Sequence, residues 1–180
     1  MVLPSLLSAQ TATEYFDKAF QEYKDKDYDA AIQDYTSCIA LDKSNFEAYY
    51  NRALAYYFTE KYTLGIADIN IVLNDSPSDA EAWYWKGKML EKQDIDLQAA
   101  LECLSNAISN KSDYSDAYFE RGFCRYKLKM YSLAISDYNV VLSYDPKDEN
   151  ALYNRGLANT KEGNDEVAIV DYMAAISIDN

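Results

Sequence analysis

A 34-residue period governs this chain. Tyr15, Tyr49, Trp83, Tyr118 and Leu152 recur at spacings of 34, 34, 35 and 34 residues. Ala19, Ala53, Gly87, Gly122 and Gly156 follow in step. So do Ala31, Gly65, Ala100, Ala134 and Ala168, and then Tyr35, Ile69, Leu104, Tyr138 and Tyr172. The one extra residue falls between Gly87 and Ala100, and the turn Gln93–Asp96 is its predicted place. Four columns in register over five units describe one supersecondary unit, copied, with each copy burying its apolar face on its neighbours.

Each unit reads as two helices. Ala48, Tyr49, Ala53 and Tyr56 fall at helical intervals in a first half, and Leu133, Ala134, Ile135, Tyr138, Val141 and Leu142 form an apolar stripe in a second. Polar joints separate them, among them Asp42-Lys43-Ser44-Asn45, Asn74-Asp75-Ser76-Pro77-Ser78 and Asp145-Pro146-Lys147-Asp148. The pattern predicts helices over 13–25, 29–41, 46–59, 63–75, 80–92, 97–110, 115–128, 132–144, 149–161 and 165–178. Gly87, Gly122 and Gly156 are expected to face Ala100, Ala134 and Ala168 where the paired helices cross closely.

Composition narrows the chemistry. The chain has 180 residues, no histidine, and 17 Lys+Arg against 30 Asp+Glu, for a net charge of −13. Without imidazole there is no Ser-His or Cys-His nucleophile pair and no histidine metal ligand. Five scattered glycines form no phosphate-cradling loop, and the acidic balance argues against a nucleic acid partner. Cys38, Cys103 and Cys124 have no CxxC spacing and sit in apolar stretches, as small hydrophobes. Asp145–Asn150 offers oxygens but lacks the glycine and distal glutamate of a calcium loop, so it reads as a joint between units. No catalytic, cofactor or metal site emerges, and the expectation is a protein that is not an enzyme.

The unit Asn150-Ala151-Leu152-Tyr153-Asn154-Arg155-Gly156-Leu157-Ala158, continued by Ala168-Ile169, Asp171-Tyr172 and Ala175-Ile176, resembles a tetratricopeptide repeat. Ala117-Tyr118, Arg121-Gly122, Tyr131, Ala134-Ile135, Asp137-Tyr138 and Asp145-Pro146 resemble another. The resemblance covers residues 12–180, with repeats near 12–45, 46–79, 80–114, 115–148 and 149–180. It implies an all-α, right-handed α-solenoid of stacked helix-turn-helix repeats. It further implies a concave surface lined by the first helix of each pair. Here that surface would carry Phe16, Tyr50, Tyr84, Phe119 and Tyr153, then Phe20, Leu54, Lys88 and Phe123, then Tyr23, Tyr57 and Tyr126, with Asn51 and Asn154 placed to bond a peptide backbone. Aromatic side chains supply rigid contact area and dominate binding hot spots. The same stripes could instead be core.

The implied function is a non-catalytic interaction scaffold that holds a peptide segment of a partner protein. The tetratricopeptide subfamily that grips acidic chaperone tails uses a Lys/Asn/Asn/Lys/Arg clamp. Asn51 matches it, but Phe16, Phe20, Glu81 and Trp85 stand at the other places. A basic or amphipathic peptide suits the surrounding carboxylates better. The alternative is a structural assembly subunit working through its last helix and convex surface. Val167, Ile169, Val170, Met173 and Ile176 leave that helix apolar around most of its girth, which suggests a homodimer, a docked partner or a longer parent chain.

Two further expectations remain. Lys18, Arg52, Lys86, Arg121 and Arg155 run in step with Asp34, Asp68, Asp137 and Asp171, and only Cys103 interrupts the acidic column. This predicts partly buried bridges between first and second helices. Residues 1–11 form an uncharged leader that resembles the tail and cleavage zone of a secretory signal without its basic start. An upstream signal and a short hydrophobic leader both fit, so a cytoplasmic and an exported location both stay open. No segment offers the ~20 apolar residues of a membrane span.

Overall fold

The computed structural model describes residues 10–178. It contains ten α-helices and, among the described residues, no strand. They are α1 (Ala12–Lys24), α2 (Tyr28–Leu41), α3 (Phe46–Phe58), α4 (Tyr62–Asp75) and α5 (Ala80–Gln93), followed by α6 (Leu97–Asn110), α7 (Ser115–Lys127), α8 (Tyr131–Tyr144), α9 (Glu149–Glu162) and α10 (Asp165–Ile178). Every predicted helix is present, with each end within a residue of its expected place. The leader lies outside the described residues except for Gln10 and Thr11. Thr11 is already part of the fold: it caps α1 in a reciprocal capping box with Glu14. Asp27, Asn45, Asp79, Asp96 and Asp148 cap later helices by accepting backbone amides.

The chain divides into two compact units, Met1–Pro77 and Ser78–Asn180. The first holds α1–α4, two hairpins, and the second holds α5–α10, three hairpins. Within each unit every helix packs on the next one in sequence. First helices also touch one another (α1 with α3, α5 with α7, α7 with α9), whereas second helices do not. Each unit is therefore tighter along its first helices and more open along its second helices.

The repeat columns explain the packing. In the first unit Ala19, Ala31, Tyr35, Cys38 and Ala48 form one buried cluster. In the second, Ala100, Leu104, Ala107, Ala117 and Cys124 form another, and Ala134, Tyr138, Val141, Ala151 and Ala158 a third. The close approach at the small column differs from the expected pairing. A Cβ on Gly87 would lie 2.8 Å from Leu104 Cγ, on Gly122 3.0 Å from the Tyr138 ring, and on Gly156 2.7 Å from the Tyr172 ring. The facing groups are thus the ring or leucine one turn beyond Ala100, Ala134 and Ala168, and only the Ala100 carbonyl, 3.2 Å from the Gly87 position, belongs to that column. Side chains on a helix lean toward its N-terminus, which brings the later residue back over the glycine.

The turn inside each hairpin repeats as faithfully as the helices. Lys26, Glu60, Asp94, Lys129 and Gly163 all have positive φ, between 53° and 82°. Only Gly163 does so without a steric penalty. This register places the extra residue of the third repeat just after Asp94, inside the predicted turn, where Ile95 is 83% exposed.

Candidate functional site

The basic and acidic columns meet as expected. Arg52 binds Asp68 through two parallel N–H donors (2.7 and 2.8 Å), and Arg121 binds Asp137 (3.0 and 2.7 Å) and Arg155 binds Asp171 (3.0 and 2.6 Å) in the same way. Lys18 donates to Asp34 in the first rung. Each guanidinium does more than the sequence foretold. Its remaining nitrogen reaches the preceding second helix, donating to Thr36 (3.0 Å), Ser105 (3.5 Å) or Asn139 (2.7 Å). One arginine therefore ties its own hairpin together and fastens it to the previous one, a planar-fork role that lysine cannot fill. In the third repeat, where Cys103 replaces the aspartate, Lys86 lies over the Trp83 ring. These charges are structural and occupied.

The side chains expected to line a binding surface fall into two sets, one per unit. In the first unit Phe16 and Phe20 stack along α1 with centroids 6.4 Å apart, and the Lys24 ammonium sits 4.2 Å over the Phe20 ring. Phe20 is 38% exposed, while Phe16, Tyr23, Tyr50 and Tyr57 are half-buried. Asn51 and Leu54 are buried. Phe58 was missed by the sequence reading. It is 45% exposed and stacks on Tyr28 at 4.8 Å, with Tyr23 and Tyr57 edge-on to it. A signal existed: the same column elsewhere holds Lys24, Lys92, Lys127 and Lys161.

In the second unit Phe119, Phe123 and Tyr126 are half-buried on α7, and Tyr153 on α9 is 53% exposed. Phe119 meets the Tyr138 ring at 5.7 Å, and Tyr153 meets Tyr172 at 5.8 Å. Tyr84 is buried against Tyr114 (5.0 Å) and belongs to the core. Asn154 is half-buried and donates to the carbonyl of Asn150 in its own helix.

Two lysines of these helices are paired with acidic neighbours. Lys88 donates to the Tyr84 hydroxyl (3.1 Å) and pairs with Glu120 (2.9 Å). Burial alone would depress its pKa, but Glu120 and Tyr84 outweigh that and hold it above the ordinary lysine range. Lys127 bridges Glu91 (3.2 Å) and Asp94 (2.5 Å). Between the starts of α7 and α9 lies a pocket of about 180 Å³, lined by Ser115, Asp116, Phe119, Val141, Asp148 and Asn150. Among the described residues, no group of three or more metal-ligating side chains comes together, and no helix is long and apolar enough to cross a membrane.

Known proteins resemble this chain along most of its length. A family model described as TPR repeat matches residues 20–58, and models described as tetratricopeptide repeat match residues 50–95, 116–148 and 149–180. The Hsp70-Hsp90 organizing protein of Triticum aestivum is 26% identical over 87% of this chain and 33% of its own length. The chain spans a third or less of the length of the first curated relatives it matches. Among solved structures, YrrB, described as a TPR protein with an unusual peptide-binding site, superposes with a TM-score of 0.79 at 26% identity, over 93% of this chain and 86% of that one. MamA superposes with a TM-score of 0.84 at 24% identity, over 93% of this chain and 91% of that one, a likeness of fold. Repeated helical hairpins, a column of small residues at their crossings and these matches lead to one conclusion: the chain belongs to the tetratricopeptide repeat family.

Proposed function

We propose that this chain is a non-catalytic protein-interaction scaffold whose first-helix faces hold a peptide segment of a partner. The observation that supports the reading is that the first helices, the elements that touch one another in each unit, carry partly accessible rings. Phe16, Phe20, Tyr50 and Tyr57 lie there in the first unit, and Phe119, Phe123, Tyr126 and Tyr153 in the second. Rigid aromatic area of this kind binds at low entropic cost. Leu54, Tyr84 and Asn51 support the surface from beneath rather than touching a ligand. The peptide-binding description of YrrB supports the same class of role.

The partner segment is basic or amphipathic. Lys88 and Lys127 are committed to acidic neighbours, and the pocket beside Phe119 is lined by Asp116 and Asp148. Such a pocket accepts an aliphatic stem against the ring and a cationic head between the carboxylates. An acidic tail finds no clamp, because Phe16, Glu81 and Trp85 stand where cations would be needed and Phe20 where an asparagine would be.

Selection of short displayed peptides on the full chain, with affinities read by fluorescence anisotropy, tests the reading. Enriched sequences should combine Lys or Arg with aromatic or aliphatic residues. Tyr153→Ala or Phe20→Ala should weaken binding about tenfold or more while helicity is unchanged. Enrichment of acidic peptides, or binding indifferent to both substitutions, would refute it.

A further inference from the structure

Helix α10 exposes Ile169, Val170, Met173 and Ile176 together, each more than half accessible, with Met173 the most open at 66%. The repeat register shows what is particular about this face. The counterparts of Ile176 are Ile39, Ile108 and Leu142, all buried where the next hairpin packs. Val170 stands where α2, α6 and α8 carry Gln33, Glu102 and Ser136, and Met173 where they carry Thr36, Ser105 and Asn139. Those last three accept the guanidinium of the following first helix. The α10 face thus keeps the apolar positions of a docking surface, loses its hydrogen-bond acceptor and gains breadth through Val170.

Three occupants can be compared. Another Arg-bearing hairpin of the same design would bury a guanidinium donor against the Met173 thioether, a costly loss of a partner. Helix α1 of a second copy fares no better. At the position where α3, α7 and α9 bury Ala48, Ala117 and Ala151 completely, α1 carries Glu14, an exposed carboxylate bonded to its own N-cap. Docking α1 would strip water from that charge. A second α10 meets neither obstacle. A two-fold axis beside Met173 sets Ile169 and Val170 of one copy against Ile176 of the other, and an antiparallel crossing keeps the acidic first turns, Asp165 and Glu166, at opposite ends. We propose that this chain forms a two-fold homodimer through α10. The surface is independent of the proposed peptide-binding faces. One face of a 14-residue helix packed on its copy falls short of the about 1,200 Å² in total of stable interfaces, so association no tighter than the micromolar range is expected.

Sedimentation equilibrium of the full chain across the micromolar range should show a monomer–dimer equilibrium. Met173→Glu and Val170→Lys should each weaken it about tenfold or more, with unchanged circular dichroism. Under mild oxidation Met173→Cys should give a covalent dimer, since the native thiols are buried, and Asn106→Cys on the exposed face of α6 should not. A monomer at every concentration, an open-ended series of larger species, or a dimer indifferent to both charge substitutions would each overturn the proposal.

Discussion

The three thiols show how strongly single positions feel the stacked core. Cys38, Cys103 and Cys124 are buried, and burial raises the pKa of each. Cys103 is pushed up to about 11, and Cys124 to about 12, with Glu91 and Glu120 adding to the rise. An ordinary thiol titrates near 8.5. As pH climbs past that value the unfolded chain sheds these protons first, so it binds fewer protons than the native state and stability falls. The contribution is fully present below about pH 8.5 and disappears as the native thiols ionise. Thermal melts should therefore hold steady from neutrality to about pH 8.5 and decline above it, and Cys124→Ala should flatten the decline. Equal slopes in the two proteins would contradict the assignment. Other single-residue features were hidden from the sequence. Lys26, Glu60 and Lys129 occupy left-handed turns without the glycine that would have announced them. Tyr84 shares a column with Phe119 and Tyr153, yet the Tyr114 ring beside it makes it core.

At the scale of helices the ladder of charges is the clearest case of a sequence pattern becoming a joint. Arg52 and Asp68 are both shielded from solvent, with side chains 14% and 6% exposed. Removing one partner strands the other, so Arg52→Met should cost about 3 kcal/mol in urea unfolding. Arg52→Met with Asp68→Leu should recover part of that loss, giving a coupling of about 1–2 kcal/mol. The more exposed Lys18 rung should lose far less. Additivity of the two substitutions would mean that the pair carries no joint energy. Helix positions and these bridges were legible because five copies repeat the same pattern, so local ambiguity in one repeat is resolved by the others. The reach of Arg52, Arg121 and Arg155 to the preceding second helix was less legible, since Thr36, Ser105 and Asn139 share polarity but no residue type. Ring exposure was least legible: Phe16 meets Tyr35 as Phe119 meets Tyr138, but in the same column Tyr84 is buried against Tyr114 while Tyr153 stays open, a difference set by neighbours outside the column.

The molecule as a whole consists of a two-hairpin and a three-hairpin unit. Stacked repeats need about three copies before each internal face is covered. Residues 78–180 alone should therefore retain helical circular dichroism and melt cooperatively, while residues 10–77 alone should be markedly less helical. The opposite ranking would show that local propensity, rather than stacking, holds the helices. The third repeat also carries a record of tolerance. Ile95 was added behind Asp94 without displacing the register of any later column, and its side chain projects into solvent. A surface turn that has already absorbed one residue bears the small, slowly growing entropy of a longer loop. That turn, between α5 and α6 of the second unit, is accordingly a natural splice point, where an epitope or a fluorescent reporter can be grafted while the helices on either side keep their packing.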